Sequence, residues 1–330
     1  MTVWQQGAVT GIGSLPGTDP REATALVFGE LPDFPHLPEL PQRGPGAELI
    51  GRGAALLVDL PVEIVPSGWA LAARPGRDLR RARDYLAQDL DALEARAGGY
   101  AGPLKVQATG PWTLAAGVEL ASGHKVVSDA GAVRDLVASL TEGLQGHVVD
   151  VAARVPAATV VLQLDEPSLP AVLAGHVPTP SGYGTVASVE SPVARQALAD
   201  VLSAAAPGSR AVHCCAADDP VAVIHEAGAD ALAFDRSLLG TAQYEDLAAA
   251  VDAGLALWLG VVDAGVTFAQ ARDAAAGLWR ELGFGLPDIA DRVVPTPRCG
   301  LANATDEQVR QVLATLRDVG ASLCDLAAAS

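Results

Sequence analysis

The stretch Arg210–Asp235, RAVHCCAADDPVAVIHEAGADALAFD, reads as strand, helix, strand. Arg210–Cys214 and Ala231–Phe234 are short apolar runs suited to buried strands, and Pro220–Ala227 between them has helix-like spacing. The same alternation recurs in both directions along the chain. Strand candidates lie at Val9–Ile12, Phe34–Pro38, Leu104–Ala108, Thr159–Leu164, Leu255–Val262 and Arg292–Pro295. Segments of helical spacing separate many of them, at Asp78–Arg96, Ala132–Ala153, Val193–Ala206, Tyr244–Ala253 and Thr267–Leu282. Eight strands with intervening helices predict an α/β fold, a parallel sheet closed as a single (β/α)8 TIM barrel over residues 1–330. Phe34–Pro38, short and Pro-rich, is the weakest of the eight. The main alternative is a doubly wound open sheet. Its dinucleotide fingerprint is absent, because Gly11-Ile12-Gly13-Ser14-Leu15-Pro16 fails at the last position and no acidic ribose-binding residue is evident about 20 residues on. No internal repeat or long linker divides the chain.

Composition narrows the function classes. Half of the 330 residues are hydrophobic, enough for a large core, and aromatics are only 4%. A net charge of −17 argues against nucleic acid or an anionic membrane as partner. The N-terminus lacks the basic start and apolar run of a signal peptide, and no stretch reaches 18 uninterrupted apolar residues. The four cysteines are too irregularly spaced for a disulfide framework. A cytoplasmic location is the expectation.

The chemistry concentrates in His213-Cys214-Cys215 and the distant Cys299-Gly300-Leu301. On a strand, His213 and Cys215 share one face while Cys214 points the other way. An imidazole and a thiolate joined by a second thiolate from far along the chain suit an open zinc site better than a structural knuckle, which takes its cysteines in close pairs. Cysteine is also a common small core residue, and Cys214 and Cys324 read that way. In a barrel the active site forms where strands end. Those ends carry Ser14, Glu39, Gly110-Pro111, Asp165-Glu166, His213 and Cys215, Asp235, Asp263 and Cys299. A helix-cap role stays open for the acids, for Asp263 above all.

Five motifs in order resemble the catalytic half of cobalamin-independent methionine synthase. They are Thr10-Gly11-Ile12-Gly13-Ser14-Leu15-Pro16, Gly110-Pro111-Trp112-Thr113, Leu164-Asp165-Glu166-Pro167, His213-x-Cys215 and Cys299-Gly300-Leu301. The resemblance runs from about residue 8 to the end of the chain and implies a Zn2+ enzyme that methylates homocysteine to methionine. It implies His213, Cys215 and Cys299 as ligands. At the family's glutamate ligand this chain has Asp235, which either ligates zinc or leaves that place to water. Ile12, Gly13 and Ser14 match the segment that receives the amino acid's carboxylate. Asp165 and Glu39 match the carboxylates that take its ammonium, with Asp165 and Asp263 as catalytic candidates.

Two departures concern the methyl donor. The chain has length for one barrel where the full-length enzymes have two. The family's Asp-x-His-Ser segment reads Asp263-Ala264-Gly265-Val266, so the histidine that assists folate protonation is missing. A thiolate takes a methyl from methylcobalamin without a general acid, whereas methyltetrahydrofolate needs one for its departing amine. The expected donor is therefore a methylcorrinoid protein or methylcobalamin, with methyltetrahydrofolate assisted by His124 or His176 as the alternative. A coenzyme M methyltransferase would share the zinc but need a cationic pocket, and a uroporphyrinogen decarboxylase would have no use for His-x-Cys. A non-catalytic metal or corrinoid carrier is the remaining reading.

Overall fold

A computed structural model describes residues 3–330. Six strands form the main sheet: β3 (Pro103–Thr109), β5 (Thr159–Asp165), β6 (Arg210–Cys214), β7 (Ala231–Asp235), β8 (Ala256–Val262) and β9 (Val293–Pro297). They are parallel and pair in that sequential order. The order never reverses, as the doubly wound alternative requires. A small second sheet holds β1 (Val62–Val65), β2 (Gly68–Leu71) and β4 (Val118–Glu119). Twelve α-helices accompany the strands among the described residues.

Parallel strands covered on both faces read as unbroken apolar runs. β8, Ala-Leu-Trp-Leu-Gly-Val-Val, is buried along its whole length. The helix Asp306–Ala328 shows the complementary pattern: Val309, Val312, Leu313, Leu316, Val319 and Leu323 recur at helical spacing and are all buried. Thr305 and Gln308 form a capping box that fixes its start. No helix is long and apolar enough to cross a membrane among the described residues.

Six regular strands stand where eight were expected. Val9–Ile12 and Phe34–Pro38 run extended in the gap between β9 and β3 and make isolated bonds instead of ladders. Thr10 N donates to the Pro295 carbonyl at 3.4 Å, and Ser14 bridges Glu39 in parallel. His36 bridges Lys105, with Lys105 N donating to Pro35 O and Leu37 N donating to Lys105 O. The composition explains the shortfall, since Pro35 and Pro38 lack a donor and Gly11 and Gly13 add no side-chain packing. Gly11 also leaves room for the buried His36, whose Nε2 lies 2.3 Å from where a Cβ would sit. The β1–β2 hairpin and the helices Pro20–Glu30, Leu49–Ala55 and Asp306–Ala328 were not anticipated from periodicity.

Gly143, inside the helix Ala130–Arg154, marks a close approach, because an added Cβ would lie 1.7 Å from the Leu56 carbonyl oxygen. Gly143→Ala gains about 1 kcal/mol of helix propensity but forces backbone apart, at about 1–3 kcal/mol for overpacking. Thermal denaturation is expected to show a lower Tm for the variant. A rise would mean that the helix and the Leu56 segment are not in contact.

Candidate metal centre

At the C-terminal end of the main sheet, the strand termini enclose a cavity of about 200 Å³. Its polar lining is Ser14, Glu39, Asp165, His213, Cys215 and Cys299, and Ile12, Pro41, Ala47, Leu49, Pro167 and Gly300 complete the wall. Each polar group arrives from a different element. Asp165 ends β5 and His213 lies in β6 with Cys215 just beyond it, while Cys299 follows β9. Ser14 and Glu39 are brought together by their bridge: Leu15 N donates to Glu39 O, and Glu39 N donates to Gly13 O. Leu301 N donates to Ser14 O at 2.8 Å, which ties the Cys299 loop to the same segment. Gly300 is needed there, since a Cβ would lie 1.9 Å from the Ser14 hydroxyl.

The ligand atoms of His213, Cys215 and Cys299 all lie within 4.8 Å of one another. The two sulfurs are 3.2 Å apart, close enough to share a hydrogen bond, and both cysteines are free. His213 Nδ1 sits 2.8 Å from Asp165 Oδ1, whereas its buried Nε2 has no partner. A buried imidazole nitrogen without a partner, beside two thiols, is the arrangement a metal would satisfy. One nitrogen and two sulfurs fit zinc with a coordination position left for a substrate.

The electrostatics favour one thiolate in the sulfur pair. The hydrogen bond shared with Cys215, aided by His213 and opposed by burial, brings the Cys299 thiol down to about 6. The same bond, with burial, pushes Cys215 up. Burial works against a charged His213, yet the Asp165 hydrogen bond and charge outweigh it and raise the pKa. Glu39 is raised to about 7, first by burial and then by Asp165, with Arg52 opposing.

Two expected site residues are not brought into this group. Asp235 Oδ1 folds back to accept from Ser237 N at 2.8 Å and Ser237 Oγ at 2.7 Å, so the short carboxylate closes a turn instead of joining the three ligands. Asp263 is exposed and does not line the cavity; its Oδ1 accepts from Ala264 N. It does not cap the following helix, which Thr267 begins. His124 and His176 are also exposed and outside the cavity lining. Gly13 is buried between Ile12 and Ser14, which do line it.

Other polar residues surround the centre, and of these only Glu166 is marked by its place at a strand end. Lys105, Gln107 and Gln163 are buried polar side chains in apolar strands. Their signal was in the sequence, as polar residues alternating with Leu104, Val106, Ala108, Leu162 and Leu164. Glu166 is fully buried and binds Trp112 N, Thr113 N and Thr113 Oγ1, which anchors the helix Pro111–Gly117 to the end of β5. Arg52 pairs with Glu39 and with Asp89, and Asp89 in turn pairs with Arg43.

A family model described as the catalytic domain of the cobalamin-independent synthase matches residues 8–322. A B12-independent methionine synthase from Shewanella sp. W3-18-1, solved in complex with selenomethionine, superposes with a TM-score of 0.66. The match covers 98% of this chain and 100% of that one at 12% identity, a likeness of fold. A GH20 β-N-acetylhexosaminidase from Streptomyces coelicolor A3(2) gives a TM-score of 0.32 at 14% identity, over 71% of this chain and 60% of its own. A psychrophilic family 10 endo-β-1,4-xylanase gives 0.39 at 9% identity, over 92% and 95%. No curated protein sequence matches the chain.

The sulfur pair makes a titration testable in metal-free protein. The Cys215 hydrogen bond and His213 lower the Cys299 thiol toward about 6, so the pair is expected to lose its first proton below the ordinary thiol range. Thiolate absorbance near 240 nm is expected to rise with a midpoint near 6, and Cys215→Ala is expected to move it upward toward the ordinary thiol range of about 8.5. An unchanged midpoint would show that the two sulfurs do not share a proton.

Proposed function

The chain belongs to the cobalamin-independent synthase family through its catalytic domain, and from that premise we propose that it transfers a methyl group to the thiol of homocysteine, forming methionine. The observation that carries this reading is the convergence of the His213 ring, Cys215 Sγ and Cys299 Sγ in a cavity also lined by Asp165, Glu39 and Ser14. An amino acid bearing a thiol has the matching groups: a sulfur for the metal side, an ammonium for the carboxylates and a carboxylate for the Ile12–Ser14 segment.

His213, Cys215 and Cys299 would hold the Zn2+. When bound, zinc lowers the pKa of a coordinated thiol so that it is a nucleophilic thiolate at neutral pH. The remaining work belongs to the protein. Asp165 gives Oδ1 to His213 and Gln163, so Oδ2 is the oxygen left for an ammonium group. Glu39, raised to about 7 by burial, is drawn to its ionised form when a cation arrives beside it. The Ser14 hydroxyl, set by Gly300, meets the carboxylate end. Together they orient the sulfur toward the incoming methyl group. Asp235 and Asp263 close turns on their own chain, and three protein ligands would leave a metal held there a place for the substrate thiol. The fold is read as one (β/α)8 domain over residues 1–330, with its first two strands reduced to bridges.

A methylated corrinoid, free or on a carrier protein, is the donor this geometry favours. Methyltetrahydrofolate leaves as an amine that needs a proton. Asp263, His124 and His176, the acids considered for that step, lie outside the cavity lining. A sulfonate substrate of coenzyme M type fits less well, because Arg52 is already committed to Glu39 and Asp89.

Purified protein supplied with zinc and homocysteine is expected to form methionine from methylcobalamin. Efficient cobalamin-free turnover of methyltetrahydrofolate would overturn the donor assignment, and no product from either donor would overturn the activity. Cys215→Ser and Cys299→Ser should each weaken zinc binding by more than the roughly 10- to 100-fold typical of losing a ligand's hydrogen-bond partner. Metal analysis after dialysis against a chelator reads this directly.

A further inference from the structure

Beneath the metal centre, Lys105 is wholly buried with no carboxylate in contact. Its Nζ donates to the Ile12 carbonyl at 2.6 Å, to Gln163 Oε1 at 2.7 Å and to Gln107 Oε1 at 3.3 Å. Burying an amine is costly, and these oxygens offset that cost. An apolar side chain of similar length would fill the space without it. The partners, however, are not scattered through the core, for each leads toward the cavity.

The direction of every bond follows from chemistry. As an ammonium Lys105 has three N–H donors for its three oxygen partners and no acceptor, so Gln163 turns Oε1 toward it. Gln163 Nε2 then faces the other way and donates to Asp165 Oδ1 at 2.7 Å and to Ile12 O at 3.0 Å. Asp165 Oδ1, held there, accepts from His213 Nδ1 at 2.8 Å. That bond places the ring proton on Nδ1 and leaves the Nε2 lone pair free on the side without a partner. A second arm runs through Gln107, whose Nε2 donates to the Leu37 carbonyl, two residues before Glu39. The Ile12 carbonyl, doubly bound, fixes the start of the Gly13–Ser14 segment.

We propose that Lys105 and Gln163 are positioning residues that fix the orientation of Asp165 and His213 and, through Ile12, the segment that receives the amino acid. The proposal rests on the metal-centre reading above and adds to it the source of its alignment.

The test uses full-length protein with two substitutions, Lys105→Met and Gln163→Leu, both of similar volume to the residues replaced. Circular dichroism and Tm establish folding, and Gln163→Leu serves should Lys105→Met not fold. In metal-free protein labelled with 15N-histidine, His213 (assigned by its loss in His213→Gln) is expected to be an Nδ1–H tautomer in the wild type. In the variants it should become a tautomer mixture. Zinc affinity, measured by competition with a chromophoric chelator, should fall roughly 10- to 100-fold, as for loss of a ligand's hydrogen-bond partner. Folded variants that keep both the single tautomer and the wild-type affinity would overturn the proposal. Neither readout involves homocysteine, so lack of methyl transfer leaves the test intact. A wild-type chain that binds no zinc would instead count against the metal-centre reading.

Discussion

One buried amine holds together the part of the fold that its backbone leaves loose. The gap between β9 and β3 is crossed by two extended segments joined by isolated bridges, which supply few ladder hydrogen bonds. Lys105 contributes on two levels. Its backbone pairs with Pro35 and Leu37 in the second segment, while its side chain reaches the Ile12 carbonyl in the first. Burial brings its pKa down to about 7 against the upward pull of Asp165 and Glu39. His36 shares this interior and is held near 3, chiefly by burial and then by the Lys105 charge. The interior therefore holds a polar layer ordered by directional bonds next to a second apolar cluster that includes Trp4, Phe34, Val161 and Trp258.

Charge is handled differently on the other side of the cavity. Glu39 is tied to Arg52, Arg52 to Asp89, and Asp89 to Arg43. Burial opposes a charged Arg52, but Glu39 and Asp89 outweigh it and raise its pKa. A chain of alternating signs avoids an isolated buried charge, whose uncompensated cost would exceed that of the whole chain. It also keeps Arg52 from neutralising the cavity completely, since Asp89 competes for the same guanidinium. Glu39 and Asp165 together remain suited to a cationic group.

The sequence made the repeating part of the fold legible because buried parallel strands carry their signal locally. β3 and β5 to β9 fall on the apolar runs read from the sequence, within a few residues. The first two segments are extended as expected, but Pro35, Pro38, Gly11 and Gly13 keep them from pairing fully, and pairing depends on neighbours that periodicity does not see. The site divides in the same way. His213 and Cys215 were legible because residues two apart on a strand share a face. Asp235 and Asp263 lie apart from the three ligand residues, because a position at a strand end says where the backbone is and not where a short carboxylate points. Each turns back on its own chain, at Ser237 N and Ala264 N, a habit of aspartate in turns. Lys105 and Gln163 were visible as polar residues in apolar runs, but their partners lie far along the chain.

The size of the cavity bears on how a methyl group would arrive. Pockets that enclose a drug-sized ligand commonly measure about 300–1,000 Å³, and this one holds about 200 Å³. An amino acid can occupy it, but a corrinoid or a pterin cannot be enclosed beside one. On the proposed reading, a donor of that size would meet the sulfur from outside, with only its methyl group entering. The burial gradient across the ligands agrees, because His213 is buried, Cys215 is half-buried and Cys299 is exposed. A thiolate in the remaining coordination position, anchored below by Asp165 and Ser14, would therefore be approached from the side of Cys299. That side demands surface complementarity and not a deep donor pocket, which a methyl group presented on another protein can provide.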